Sequence, residues 1–182
     1  MDFDIPDDLS ALAHEVSGFV RDEVIPFESD PRWTSHGPTE ELRLELVTRA
    51  RSRGLVAPQA PVAFGGRGLT HVGRAIVFEA AGYSMLGPVA LHCAAPDEGN
   101  IHLLAEVASE AQQDRWLGRL ASGEVRSCFA MTEPGGAGSD PRQLATTATP
   151  VDGGYRITGR KWLITGAHEA AVAIIMARIG SG

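Results

Sequence analysis

Between Asp7 and Ile25 the apolar residues Leu9, Leu12, Ala13, Val16, Phe19, Val20 and Val24 recur at intervals of three and four, which lays one stripe along an amphipathic helix. Pro26 closes it. Pro38 with Glu40 and Glu41 opens a second helix that turns Leu42, Leu46, Val47 and Ala50 inward and stops at Gly54, with Ser29 to Gly37 as the intervening loop. Gly54 to Leu69 holds four glycines and two prolines, so "APVAFGGRGL" cannot continue a helix. A third helix begins after Thr70, with Val72, Ile76, Val77 and Ala80 on its face; Gly87-Pro88 then turns the chain into the apolar stretch Val89 to Ala95. Asp97 is placed to cap a helix over Glu98 to Val107. Ser109 and Gln112 have the spacing of a capping box, Trp116, Leu117 and Leu120 supply the next buried stripe, and Gly123 stands where a helix ends.

After Glu124 the period changes. Ser127 to Thr132 is short and apolar, and Ala145 to Val151 and Tyr155 to Thr158 are rich in Thr, Val and Ile around Asp152-Gly153-Gly154, the pattern of a hairpin. Trp162 to Thr165 and Val172 to Ile179 read as further strands, the second too uniformly apolar to keep a solvent face. The pattern divides the chain into a helical domain, residues 1–125, and the opening strands of a β domain, residues 126–182. Four or five strands leave edges and one face to be covered, so the sequence reads as the front part of a longer, truncated protein.

Composition narrows the function classes. The 182 residues carry 23 acids against 16 bases, a formal net charge of −7, and no local Lys/Arg cluster, which argues against nucleic acid or an anionic membrane as the main partner. The two cysteines, Cys93 and Cys128, lack CxxC or Cys/His zinc spacing and read as reduced thiols. The start, Met1-Asp2-Phe3-Asp4, has no basic segment followed by an apolar one, and no apolar run reaches the roughly 18 residues of a membrane span, so the expected location is cytoplasmic. His92, Cys93 and Asp97 match no metal cage, which leaves them to the helical core and predicts no metal site. The other histidines are scattered and stand beside no serine or cysteine nucleophile motif.

One stretch breaks the pattern by its lack of side chains: "CFAMTEPGGAGSD", Cys128 to Asp140. Its glycines let backbone amides approach a ligand, and a nest of N–H groups with a serine hydroxyl suits a phosphate. It is neither a P-loop nor a dinucleotide fingerprint, and a glycine-rich surface turn between strands is the competing reading.

"APDEGN" (Ala95 to Asn100) and "ITGRKWLITG" (Ile157 to Gly166) stand with that stretch in the order and spacing of the acyl-CoA dehydrogenase family. The chain resembles the N-terminal helical domain and the first part of the middle domain of these flavoenzymes. "APD.GN" and "SCFAMTEP" resemble the subgroup containing the human tenth and eleventh members. The resemblance implies an α+β fold: an all-helical bundle followed by the beginning of an antiparallel β-barrel-like domain. It implies FAD along that domain, with Phe129, Met131 and Thr132 at the flavin's pyrimidine side and Gly138 and Ser139 by the pyrophosphate, Ser139 also at the acyl-CoA entrance. Strand packing is the competing reading for Phe129 and Met131. Thr165 matches a threonine near flavin N5, with Leu163 and Ile164 flanking the ring. Two departures stand out. Most relatives carry a tryptophan where this chain has Leu163, its own being Trp162, and a strand would send these neighbours to opposite faces. The loop also has one glycine more than the common "TEPGAGSD".

The implied activity is α,β-dehydrogenation of an acyl-CoA thioester to the trans-2-enoyl-CoA, with hydride passing to flavin N5, as in fatty acid β-oxidation. Glu133 is implied to have a positional role. No catalytic residue is expected in this chain, because the family's proton-abstracting glutamate comes from a C-terminal helical domain outside it, so little or no turnover is expected of these residues alone. The implied partners are acyl-CoA, an electron-transfer flavoprotein or similar acceptor, and further copies of the chain. The alternatives are an acyl-CoA oxidase, or a non-catalytic DNA-associated flavoprotein of the same superfamily, which would need a basic surface.

Overall fold

The computed structural model describes residues 4–135 and 140–179. The chain divides into two compact units, residues 1–125 and residues 126–182.

The first unit is helical. Helix α1 (Asp7–Phe19) opens behind Pro6 with Asp7 and Asp8 in its first turn, where carboxylates meet unpaired amides, and buries Leu12, Val16 and Phe19. The single helix expected as far as Ile25 changes gauge. A π turn (Val20–Val24) keeps Val20 and Val24 inside, and a 3-10 turn (Ile25–Ser29) follows at Pro26. The expected loop contains a minimal hairpin, β1 (Trp33–Thr34) with β2 (Gly37–Pro38), closed at Gly37 with φ +108° and by the Thr34 hydroxyl donating to the Gly37 carbonyl.

Helices α2 (Glu40–Ser52) and α3 (His71–Ala81) are capped by Thr39 and Thr70, whose hydroxyls accept from the Leu42 and Gly73 amides. Helix α2 buries Leu42, Leu46, Val47 and Ala50, and with them Arg43. Arg43 survives burial because its guanidinium is bonded to Glu40 at 2.6 and 2.7 Å and donates to the Gly123 carbonyl at 3.0 Å. After α4 (Gly87–Ala90) comes α5 (Asp97–Val107), where the cap position is Pro96 and Asp97 is the first helical residue. Asp97 is buried instead of capping, its carboxylate 3.9 Å from His92 Nδ1. The capping box of Ser109 and Gln112 is formed at α6 (Glu110–Gln112), a π turn (Gln113–Leu117) follows, and α7 (Gly118–Ala121) ends before Gly123 at φ +68°.

Cys93 lies in this core. Burial, with the charge of Glu98 adding to it, pushes its thiol up to about 12. Thiolate is the reactive form, so Cys93 will stay unlabelled by a thiol reagent at pH 8 in native buffer and react on unfolding, as read by mass spectrometry of the labelled peptide. Rapid native labelling would contradict the burial.

The second unit is a β structure in two sheets. Strand β3 (Arg126–Ala130) pairs in parallel with β6 (Ala170–Ile175), and β4 (Thr147–Val151) lies between β5 (Gly154–Thr158) and β7 (Arg178–Ile179). The hairpin of β4 and β5 is antiparallel around Asp152-Gly153, whereas β3 with β6 and β4 with β7 are parallel. This corrects the antiparallel expectation for those two pairs: each is closed by a long excursion, which permits parallel return as a tight turn does not. The strand expected over Val172 to Ile179 is broken at Met176 and Ala177. The Met176 amide still reaches the Ala130 carbonyl, and the Arg178 amide then donates to Thr146, so the chain changes sheets there. Nor is β6 buried on both sides; its residues alternate between half-buried and exposed, in keeping with pairing to β3 alone. Among the described residues no helix is long and apolar enough to cross a membrane, and no group of His, Cys, Asp and Glu side chains is placed to hold a metal ion.

Candidate functional site

Strand β3 carries the first motif. Cys128 and Ala130 are buried, and Phe129 and Met131, two apart on the other side of the pleat, are half-buried, so they are not spent on the core. At the end of the strand three successive carbonyls are taken by three different residues of two segments. Ala130 accepts from the Met176 amide at 3.1 Å, Met131 from Lys161 Nζ at 2.9 Å, and Thr132 from the Trp162 amide at 3.2 Å. The Thr132 hydroxyl donates to the Trp162 carbonyl at 2.6 Å. Its oxygen keeps lone pairs for an outside donor, and among the described residues its amide has no acceptor.

The second motif arrives by that pairing but not as a strand. Trp162 makes one rung with Thr132, then Leu163 enters the left-handed region at φ +54°, Gly166 does so at φ +75°, and residues 165–169 form a turn held by Ala167 to Ile164 and Glu169 to Gly166. A left-handed residue cannot propagate a ladder, which corrects the strand expected over Trp162 to Thr165. The alternation argument for Trp162 and Leu163 falls with it. Trp162 is 48% and Leu163 83% exposed, Ile164 is half-buried and Thr165 exposed, so both residues of the displaced tryptophan position present open side chains.

Between the motifs lies an ion pair. Glu133 Oε1 accepts from Lys161 Nζ at 2.8 Å, and the same carboxylate accepts from the Ala145 amide at 2.6 Å and the Thr146 amide at 3.0 Å. The Lys161 and Glu133 side chains are only 11% and 9% exposed. Lys161 first, and the Ala145 and Thr146 amides with it, hold the Glu133 carboxyl at about 2. Glu133 therefore favours the folded state above its unfolded value near 4.5, and that contribution drains away as pH falls from there toward 2. The gap between the urea midpoints of the natural protein and Glu133→Gln will accordingly be widest above pH 4.5 and close toward pH 2. A gap that ignores pH would contradict the pairing.

Of the residues expected at a flavin, Thr132, Leu163, Ile164 and Thr165 are brought into one neighbourhood by the rung between Thr132 and Trp162, with Phe129 on the strand leading to it and Met131 just past the strand's end. Gly138 and Ser139 lie outside the described residues. Before them Pro134 and Gly135 turn the chain, Gly135 at φ +80°, a conformation glycine adopts without strain. Sequence reasoning assigned nothing to Lys161, although the lysine of K-x-x-I-T was its only trace.

The profile described as "Acyl-CoA dehydrogenase, N-terminal domain" matches residues 6–124, and "Acyl-CoA dehydrogenase, middle domain" matches residues 128–182. The Mycobacterium tuberculosis protein named Probable acyl-CoA dehydrogenase FadE2 is 40% identical over 141 residues, 74% of this chain and 33% of that protein. Acyl-CoA dehydrogenase family member 10 of Mus musculus is 34% identical over 168 residues, 85% of this chain but 15% of its own length. Among solved structures, a Mycobacterium abscessus protein assigned to the acyl-CoA dehydrogenases superposes with a TM-score of 0.85 at 31% identity, covering 99% of this chain and 48% of that one. A Bacillus anthracis acyl-CoA dehydrogenase complexed with FAD gives 0.71 at 26% identity, covering 97% of this chain and 29% of that one. The chain thus spans a third or less of these curated relatives and less than half of these solved ones. With both profiles matched in chain order over the helical and the β units, the chain belongs to the acyl-CoA dehydrogenase family.

Proposed function

We propose that this chain builds one side of an FAD and acyl-CoA cradle in an enzyme that dehydrogenates acyl-CoA thioesters between the α and β carbons. The observation that carries the reading is the rung between Thr132 and Trp162, which sets the two motif segments side by side and leaves Leu163 turned outward. When bound, FAD supplies the acceptor for the hydride that leaves the β carbon.

The chain's own residues then have distinct tasks. The Thr132 amide and hydroxyl oxygen offer one donor and one acceptor side by side, suited to the carbonyl and imide edge of a pyrimidine. Phe129, Met131, Leu163 and Ile164 offer apolar surface to a flat ring, Thr165 a hydroxyl, and Gly138 and Ser139 the small, donor-rich passage a diphosphate needs. The α-proton beside a thioester is too weakly acidic at neutral pH unless donors polarise the carbonyl, so a dry, preorganised cleft matters more here than any single side chain. No base is assigned to this chain; in this reading it lies outside residues 1–182. Reoxidation by an electron-transfer flavoprotein or similar acceptor, assembly into homo-oligomers, a place in fatty acid β-oxidation and a cytoplasmic location accompany the reading.

The test uses the full-length protein. Purified, it should show the visible absorption of bound flavin, and acyl-CoA added without oxygen should bleach it. A colourless protein that takes up no added FAD would overturn the reading, and rapid peroxide release during turnover in air would reassign it to an oxidase.

A further inference from the structure

Lys161 has no counterpart among the residues expected to touch flavin or substrate, yet it is the point where the parts of the second unit meet. Its ammonium donates to the Met131 carbonyl at 2.9 Å, immediately before Thr132, and to Glu133 Oε1 at 2.8 Å, immediately after it. Glu133 in turn is fixed by the amides of Ala145 and Thr146, which lead into β4. Lys161 is itself followed directly by Trp162, the partner of Thr132. One largely buried cation thereby joins the end of the β3 and β6 sheet, the start of the β4, β5 and β7 sheet, and the segment bearing Leu163, Ile164 and Thr165.

A buried ammonium is retained only where its donors are satisfied and its charge is matched. Here the Met131 carbonyl, which has passed the end of its strand, receives a side-chain donor where a neighbouring strand would have supplied an amide. The bond ties the backbone beside Thr132 to the residue before Trp162, so the Thr132–Trp162 rung is flanked by a side-chain tie, and the spacing between the two groups of candidate flavin residues depends on the lysine as well as on the rung. We propose that Lys161 is a positioning residue for the flavin, acting through the Met131 carbonyl and the Glu133 carboxylate on the spacing between Thr132 and the Leu163–Thr165 segment. The proposal rests on the flavoenzyme reading above.

The test compares full-length natural protein with Lys161→Met and with Lys161→Met combined with Glu133→Gln, reading thermal unfolding and the FAD dissociation constant of the apoprotein. Lys161→Met strands a buried carboxylate, so it lowers the unfolding temperature and raises the FAD dissociation constant. The double variant removes that charge, so its unfolding returns to near the natural value while FAD binding remains weakened by about tenfold, the size of one lost charge-assisted hydrogen bond. Bound-flavin absorption bands displaced from those of the natural protein are expected with it. A double variant that regains both stability and FAD affinity would show Lys161 to be structural only and overturn the proposal. Should the double variant fail to fold, Lys161→Arg decides: it keeps the pair with Glu133 but not the compact ammonium, so FAD affinity weakened by about threefold or more supports positioning, and unchanged affinity overturns it. Natural protein that binds no FAD refutes the flavoenzyme reading; natural protein and all variants binding FAD alike refute the role of Lys161 alone.

Discussion

Gly159→Ala will destabilise the second unit by about 1–3 kcal/mol and loosen the Glu133 carboxylate at the same time. Gly159 follows directly on β5, and a Cβ there would run into Thr146, lying 2.7 Å from both its Cα and its Cβ and against its hydroxyl. Rotating the threonine cannot relieve a clash with its backbone. Thr146 is 1% exposed, its amide donates to Glu133 and its carbonyl accepts from Arg178, so any retreat is transmitted to the ion pair and to β7. Gly99→Ala supplies the control of opposite sign. Gly99 is an exposed position inside α5 with nothing within 4 Å of the added atom, so alanine there gains about 0.5–1 kcal/mol of helix stability. Urea unfolding of the three proteins checks both signs, and a Gly159→Ala protein as stable as the natural one would mean that β5 and Thr146 are not in contact.

The largest loss is expected at Leu46→Ala, about 2–5 kcal/mol. Leu46 is fully buried on α2 beside Leu42 and Val47, which are equally inaccessible, so the vacated volume stays largely empty. Leu44 lies two residues away on the same helix and is 41% exposed; Leu44→Ala should change stability by no more than about 0.5 kcal/mol. Both helix propensity and residue type are held constant across the pair. Equal losses at the two positions would show that α2 presents a different face inward.

The helical half was legible because its signals are local. The spacing at Leu42, Leu46, Val47 and Ala50, the pair Ser109 and Gln112, and Gly123 act within a few residues, and each appears where the spacing predicts. Errors arose where a distant partner overrode local preference. Asp97 has cap chemistry, yet it sits inside the helix beside His92. The burial of Arg43 depends on the Gly123 carbonyl 80 residues away, which no local pattern announces. In the β half only the hairpin of β4 and β5 is encoded locally, and the parallel returns of β6 and β7 cannot be seen in alternation because the strands they meet lie far back in the chain. The left-handed Leu163 defeats the period-2 reading outright, since leucine carries no signal for that conformation. The candidate flavin residues came from motif resemblance, and Lys161 was passed over because its partners stand 30 and 28 residues away.

The three successive carbonyls of Ala130, Met131 and Thr132 impose an order on synthesis. Their donors come from Met176, Lys161 and Trp162, so a growing chain presents this strand end unfinished until residue 176 has left the ribosome. Closing such distant loops is slow compared with forming the helices that precede them. Completion of the backbone around Thr132 is thus a late event in the life of the nascent chain, and a break anywhere between Ala130 and Met176 separates the strand from at least one of the segments that complete it.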